Sequence, residues 1–323
     1  MYSSTEILSK INTYLECLPY DRRPQSLYEP VKYVLSIGGK RVRPVLMLMS
    51  YNLYKEDVDN ILSSAAAIET YHNYTLLHDD LMDDSDVRRG YPTVHKRWSP
   101  NKAILSGDAM LVLAFKMMQQ NSNNLHSVLD CFTETALEIG EGQEYDMEFE
   151  TRETVTEAEY IEMIRLKTSV LLACSMKIGA LLANAPQEDI ENLYKFGEMV
   201  GLAYQLQDDY LDVYGDDKVF KKKLGGDIVS NKKTYMLINA FNLADDRQRA
   251  ELQSWCMKKD FARDEKITAV TRLYDEIGIR QLSEAKVTEC FNAAQKYLDA
   301  VSVDENRKHI LRSYIANLTN REY

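Results

Sequence analysis

The stretch Leu76-Leu77-His78-Asp79-Asp80-Leu81-Met82-Asp83-Asp84 decides how this chain is read. Behind it runs Ala65-Ala66-Ala67-Ile68-Glu69-Thr70-Tyr71, mostly apolar and helix-favouring. Together they read as one long helix, from about Ile61 to Asp84, with its acidic residues at the C-terminal end. Asp79 and Asp83 are four residues apart, so a helix places both carboxylates on one face, a turn apart. Like charges at that spacing destabilise a helix by roughly 0.2–0.5 kcal/mol per pair. Acidic side chains also stay out of buried surroundings unless they are paired or bound to metal. The pattern recurs at Gln207-Asp208-Asp209-Tyr210-Leu211-Asp212. Two D-D-x-x-D clusters make a far stronger signal than one, and a merely solvated acidic helix end explains neither the apolar flanks nor the repetition.

Composition bounds the rest. The chain has 323 residues with only 13 Gly and 7 Pro, which form no linker, so long uninterrupted helices are expected. A hydrophobic content of 45% supports a large core, and a net charge of -11 argues against non-specific nucleic-acid binding. The basic residues that matter are therefore local clusters. Cys17, Cys131, Cys174, Cys256 and Cys290 are scattered without metal-type spacing, as reduced thiols of a cytoplasmic protein would be. The N-terminus shows no basic region followed by an apolar run, and no stretch reads as a membrane span, so neither a signal peptide nor a spanning helix is expected.

Helical periodicity accounts for nearly the whole chain. Expected helices cover about 5–17, 26–35 (with Pro30 near its first turn), 42–54, 61–84, 103–119, 128–149, 156–184 and 186–212. Shorter ones follow to residue 318. Thr156 with Glu159 is a capping box. Residues 86–100 read as a loop. Gly140 and Gly142 inside a helix cost roughly 1 kcal/mol each relative to Ala, which points to close packing or a nearby ligand. Met47 and Met49 read as core packing, and His78 as structural. No strand alternation and no solenoid period occur. The fold expected is all-α, a single domain over residues 1–323.

Carboxylate oxygens suit hard cations, and Mg²⁺ is held by one or two carboxylates together with substrate phosphates. Two carboxylate clusters on separate helices, repulsive by themselves, become compatible through metal and phosphate. A phosphate substrate also explains the cations Lys40, Arg43, Arg88, Arg89, Lys167, Lys223 and Lys232, most of which lie at glycine turns, helix ends or beside an acidic motif. No nucleophile–base pair, no H-E-x-x-H zinc set and no Walker A sequence is present. Metal-assisted departure of a phosphate or diphosphate remains.

Read together, Gly38-Gly39-Lys40-Arg41-Val42-Arg43-Pro44, Leu77-His78-Asp79-Asp80-Leu81-Met82-Asp83, Arg88-Arg89-Gly90, Gly107-Asp108, Gly142-Gln143, Lys167-Thr168, Gln205 with Asp208-Asp209 and Asp212, and Gly226-Asp227 with Lys232 resemble the trans-isoprenyl diphosphate synthases over nearly the full chain. The resemblance implies a large helical bundle around a central active-site cavity, and a homodimer. It implies head-to-tail condensation of isopentenyl diphosphate with an allylic diphosphate, through an allylic cation and with release of diphosphate. By the same resemblance Asp79, Asp83, Asp208 and Asp212 hold Mg²⁺, three ions per site. Lys40, Arg43, His72 and Arg89 hold isopentenyl diphosphate. Arg88, Lys167, Thr168, Gln205, Lys223 and Lys232 surround the allylic diphosphate or its cation. The sequence departs from the family at Lys221-Lys222-Lys223, where one lysine is expected: counting back from Gly226-Asp227 selects Lys223, counting forward from Asp212 selects Lys222.

Product length is read from the same helix. At about 1.5 Å per residue, Tyr74 lies about 7.5 Å and Tyr71 about 12 Å along the axis from Asp79. Either ring could floor a pocket for the growing tail. In the family an aromatic five residues before the first motif marks short products, here Tyr74, followed by the small Thr75. The expected product is geranylgeranyl diphosphate (C20), with farnesyl diphosphate (C15) second. The rivals are a class I terpene cyclase and a non-catalytic subunit of a synthase heterodimer. The first needs no isopentenyl diphosphate site, and the second need not keep both acidic clusters.

Overall fold

Helix follows helix through the computed structural model, which describes residues 1–121, 123–215 and 224–319. In chain order these are α1 (Ser4–Glu16), α2 (Gln25–Ser36), α3 (Val42–Asn52), a 3₁₀ turn (Val58–Ile61), α4 (Leu62–Met82), a hairpin of β1 (Val87–Arg88) and β2 (Tyr91–Pro92), α5 (Val94–Arg97), α6 (Pro100–Met118), α7 (Leu125–Thr151) and α8 (Glu157–Ile164). A π turn (Arg165–Ser169) leads into α9 (Val170–Ala183) and α10 (Gln187–Tyr214). Then come α11 (Gly226–Ser230), α12 (Tyr235–Leu243), α13 (Asp246–Met257), α14 (Arg263–Ile277), α15 (Ile279–Ala300) and α16 (Glu305–Thr319). The fold class is all-α, as expected. The chain divides into two compact units. One is Met1–Thr133, Cys174–Leu193 and Ser302–Arg312; the other is Glu134–Ala173, Tyr194–Val301 and the chain from Ser313.

In the first unit α4 packs along α6, and a glycine sets how closely. A Cβ on Gly107 would lie 2.1 Å from Nε2 of His78. The His78 ring lies edge-on to Tyr74, with centroids 4.8 Å apart, so it packs between the helices as a structural residue. Val31, Leu35, Leu77, Val94, Ala103 and Met110 form the core around this contact. Met47 and Met49 of α3 are buried core residues. Behind them α9 comes so near that a Cβ on Gly179 would lie 2.3 Å from the Met47 carbonyl.

The second unit is built on the same device. The Thr156 hydroxyl caps the Glu159 amide and the Glu159 carboxylate returns to Thr156, so the capping box opens α8. About two turns later the helix widens into the π turn, which carries Lys167 and Thr168. Such bulges are frequent at functional sites. Gly142 allows α7 to lie directly on this turn, because a Cβ there would come 2.4 Å from the Lys167 amide nitrogen. Gly201 does the same for α10, with Ser169 Cα at 2.5 Å. Phe149, Tyr160, Ile164, Leu206 and Ile238 fill one core; Ile228, Leu252, Leu273 and Tyr274 fill another.

Two local readings change, and one expectation meets a test. Helix α2 begins at Gln25, so Pro30 lies in its middle and not in its first turn. The loop 86–100 contains the hairpin and α5, because Arg89 and Gly90 both take positive φ and close a two-residue turn. The run Glu157–Ala183 is apolar enough to match a membrane-crossing helix, yet 83% of its most apolar window is buried inside the protein. That apolar surface is core.

The two helix glycines of α7 therefore separate. Gly142→Ala forces a Cβ into the Lys167 backbone and should cost about 1–3 kcal/mol or more. Gly140→Ala meets open space and should be neutral or stabilising by up to about 1 kcal/mol. Thermal or denaturant unfolding of the two variants checks this; equal effects would sink the packing account.

Candidate active site

Consecutive helical residues point about 100° apart, so the three aspartates of each motif cannot all face the same way. At the end of α4 the middle one, Asp80, turns inward and is buried. It accepts a 2.7 Å bond from Arg88 Nε, and Arg88 Nη2 reaches Asp79 at 3.6 Å. Burial pushes the Asp80 carboxyl above its ordinary range, and the Arg88 cation opposes that shift. Asp83 closes the helix, its amide donating to the Asp79 carbonyl at 2.9 Å, and its side chain is exposed. Asp84 turns the chain with φ 48° and is an exposed charge paired with Lys96 at 2.7 Å.

The basic residues gather on the same helix. Gly38 and Gly39 take φ of 86° and 154°, and Arg41 takes 50°. Arg89 donates to the Gly38 carbonyl, and a Cβ on Gly39 would lie 2.8 Å from its guanidinium. Arg41, buried, donates to Glu69 at 2.6 Å and to the Leu35 carbonyl at 2.7 Å; Asn73 meets the same Glu69 oxygen at 2.9 Å. Breaking such a buried pair costs about 3–5 kcal/mol. Arg43 Nη1 lies 3.2 Å from Nε2 of His72. A guanidinium only donates, so His72 accepts through Nε2 and carries its proton on Nδ1. Burial first, then the charges of Arg43, Arg89, Arg88 and Arg41, hold the His72 pKa well below its ordinary value. Four arginines are thus close enough to act on one neutral imidazole. Lys40 is exposed beside them.

In the second unit the middle aspartate again turns inward. Asp209 is buried, accepts from the Tyr160 hydroxyl and takes Gln205 Nε2 at 3.0 Å. Burial raises its pKa to about 7, with Asp227 adding to the shift and Tyr160 opposing it. The Gln205 amide is therefore oriented, and its Oε1 accepts from Thr168 at 3.1 Å. Asp208 and Asp212 lie half-buried on α10. Asp212 accepts the Asp227 amide at 2.9 Å. Lys167 Nζ is 2.5 Å from Asp146 and Lys232 Nζ 3.9 Å from the same carboxylate. Burial opposes ionisation of Asp146, but Lys232 and Lys167 together hold its pKa down. Lys222 and Lys223 lie outside the described residues.

The first unit thus gathers Asp79, Arg43, His72, Arg88 and Arg89, and the second gathers Lys167, Thr168, Gln205 and Lys232. Asp146, Tyr160 and Glu69 were not foreseen. For Asp146 a signal existed: Gly142, Asp146 and Phe149 stand at helical spacing on α7, as one close-packed stripe. Of the chain-length candidates, Tyr71 is buried, with ring centroids 5.5 Å from Tyr74 and 5.3 Å from Phe132. Phe115 continues the aromatic cluster, edge-on to Phe132 at 4.9 Å. Thr75 donates to the His72 carbonyl at 2.8 Å. Among the described residues no three acidic, His or Cys side chains form a ready-made metal cage. The motif carboxylates Asp79, Asp83, Asp208 and Asp212 are hard oxygen donors of the kind Mg²⁺ takes alongside phosphate oxygens.

The His72 environment sets a pH signature. Its folded pKa is depressed, so the unfolded chain takes up a proton below about pH 6.5 that the folded one refuses, and stability falls as pH falls through that value. Between pH 7 and pH 5 the wild type should therefore lose more unfolding free energy than His72→Asn. Parallel stability–pH curves would contradict a neutral His72.

Residues 24–274 match the polyprenyl synthetase family. The geranylgeranyl diphosphate synthase of Methanosarcina mazei is 43% identical over 229 residues, covering 70% of this chain and 70% of that protein. The geranylfarnesyl diphosphate synthase of Natronomonas pharaonis is 32% identical over 322 residues, covering 94% and 92%. A crystal structure of a geranylgeranyl pyrophosphate synthase matches with a TM-score of 0.93 at 36% identity, covering 100% of both chains. The family depends on a divalent metal. Acidic helix ends, convergent arginines and an oriented Lys167–Thr168–Gln205 group agree with these likenesses, and the chain belongs to the polyprenyl synthetase family.

Proposed function

We propose that this protein condenses isopentenyl diphosphate with an allylic diphosphate, head to tail, to give a short all-trans prenyl diphosphate. Membership of the family makes it a prenyltransferase that elongates prenyl chains. The observation that carries the substrate assignment is the docking of Arg41, Arg43 and Arg88 on Glu69, His72 and Asp80 of α4, with Arg89 on the Gly38 carbonyl, along the helix whose last turns bear Asp79 and Asp83. So many cations beside one another favour a polyanion, and arginine favours phosphate.

On this reading Lys40, Arg43, Arg89 and His72 bind isopentenyl diphosphate, with His72 neutral as a hydrogen-bond partner. Arg88, Lys167 and Lys232 bind the allylic diphosphate, and Lys223 or Lys222 joins them. Asp79, Asp83, Asp208 and Asp212 would hold Mg²⁺, three ions per site. Bound there, the metal neutralises charge on the departing diphosphate. The oxygens of Thr168 and Gln205, oriented by Asp209, stabilise positive charge on the allyl carbon. No side-chain base is assigned to the final proton; the departed diphosphate takes it.

The product assigned is C20. The cluster of Tyr71, Tyr74 and Phe132, rings tilted and edge-on to one another, supports it as the floor of the tail pocket. A homodimer is proposed too: Ile104, Leu105 and Val112 of α6 stand 45%, 55% and 66% exposed, more apolar surface than a lone helix face ordinarily shows to water.

Incubation with Mg²⁺, an allylic diphosphate and labelled isopentenyl diphosphate tests the assignment. A labelled linear prenyl diphosphate is expected; a hydrocarbon would indicate a cyclase and no turnover a non-catalytic subunit. Asp79→Ala or Asp208→Ala should lower kcat at least about 100-fold, as loss of direct transition-state stabilisation does. Chromatography of the same reactions reads chain length. Tyr74→Ala or Tyr71→Ala should shift product beyond C20, and unchanged length in both would remove the aromatic floor.

A further inference from the structure

Lys266 of α14 is 1% exposed, and among the described residues no carboxylate pairs with it. A buried ammonium without a counter-ion is expensive, and Met would fill the same space without that penalty. What Lys266 reaches instead is one short segment. It donates to the Val229 carbonyl at 3.1 Å and to Asn231 Oδ1 at 2.7 Å, with the Phe261 ring 4.4 Å away. These two acceptors are the C-terminal end of α11 and the residue that ends it in the left-handed region, φ 57°. A cation is favoured at a helix C-terminus.

The same face of α14 holds the other end of the segment. Arg263 donates to the Leu224 carbonyl at 2.9 Å. Ile267 lies under Gly225, where a Cβ would come 2.6 Å from its Cδ1 and where φ is +76°. Arg263, Lys266 and Ile267, three and four residues apart, thus form one stripe along Leu224–Asn231. That segment presents the Asp227 amide to Asp212 and leads into Lys232, whose amide donates to the Asp227 carbonyl at 2.9 Å. Asn231 is the hinge between the anchored part and Lys232.

We propose that Lys266 is a positioning residue for the allylic diphosphate subsite, acting through Asn231 on Lys232 from outside the site. This rests on the reading of Lys232 given under Proposed function. Lys266 touches no substrate. It removes the freedom of the turn that carries Lys232, so that the ammonium stands where a diphosphate arrives.

The test uses the full-length protein with Lys266→Met, Asn231→Gly and the double variant. Asn231→Gly keeps the backbone, since glycine accepts φ 57° without strain, and removes the acceptor for Lys266 together with the bond that Asn231 Nδ2 donates to the Cys256 carbonyl at 3.0 Å. In steady-state kinetics with Mg²⁺, Lys266→Met should raise KM for farnesyl diphosphate about tenfold and leave KM for isopentenyl diphosphate within about twofold. Asn231→Gly should move the same KM, and the double variant should be no worse than the worse of the two single variants, as one linked chain requires. Amide hydrogen exchange over residues 226–232 should quicken in both single variants. Equal changes in both KM values, no change in either, or unaltered exchange would overturn the proposal. If Lys266→Met fails to fold, Asn231→Gly decides together with Asn231→Asp, which keeps the acceptor for Lys266 and loses the donor to Cys256: a raised KM in the first and not in the second supports the Lys266 link, and equal rises overturn it. A wild type that turns over no allylic diphosphate would sink the synthase reading instead, and the exchange arm would still decide the anchoring.

Discussion

A helix can end in three aspartates next to a hydrophobic core only if the inward-facing one meets donors. That requirement is met twice. Asp80 is met by the Arg88 guanidinium, and Asp209 by the Tyr160 hydroxyl and the Gln205 amide. Because consecutive residues point about 100° apart on a helix, fixing the middle aspartate also fixes the direction of its neighbours. The outer carboxylates Asp79 and Asp83, or Asp208 and Asp212, then lie a turn apart along one side of their helix. Each middle aspartate thus works as the anchor that aims the two beside it.

The cations obey a parallel constraint. Clustered guanidinium groups repel one another, and each must be held by something other than substrate. Arg41 is held by Glu69 and a carbonyl, Arg89 by the Gly38 carbonyl, Arg88 by Asp80, and Arg43 by a histidine kept neutral through burial and its charged neighbours. Lys167 and Lys232 share Asp146. The glycines of the first basic motif serve this purpose: Gly39 leaves the room that the Arg89 side chain occupies. The positions of these charges are therefore set before any ligand arrives, which is what electrostatic preorganisation needs.

Much of this was legible in the chain. Recurrent D-D-x-x-D spacing, the glycine–arginine turn before Pro44, the capping box at Thr156 and the paired helix glycines each have a local cause, and local causes can be read from sequence. The residues not foreseen belong to another kind. Glu69 stands on an apolar helix with no motif of its own and matters only because Arg41, 28 positions earlier, folds back onto it. Tyr160 opens no pattern and meets Asp209 across 49 positions. The π turn is invisible to a 3.6-residue period, since one extra residue in a helix leaves the apolar pattern on either side intact.

The sequence by itself therefore determined the class of fold, the acidic and basic motifs and the family, because helical periodicity and motif spacing are properties of neighbours along the chain. Only the tertiary structure decided which aspartate of each motif is anchored, which cations share a counter-charge, that His72 is neutral, and that Tyr71 packs against Phe132, edge-on, as well as against Tyr74. Those outcomes depend on burial and on distances between segments far apart in sequence. Burial changes the energy of a charge by several kcal/mol, and no local pattern records which charges will be buried together.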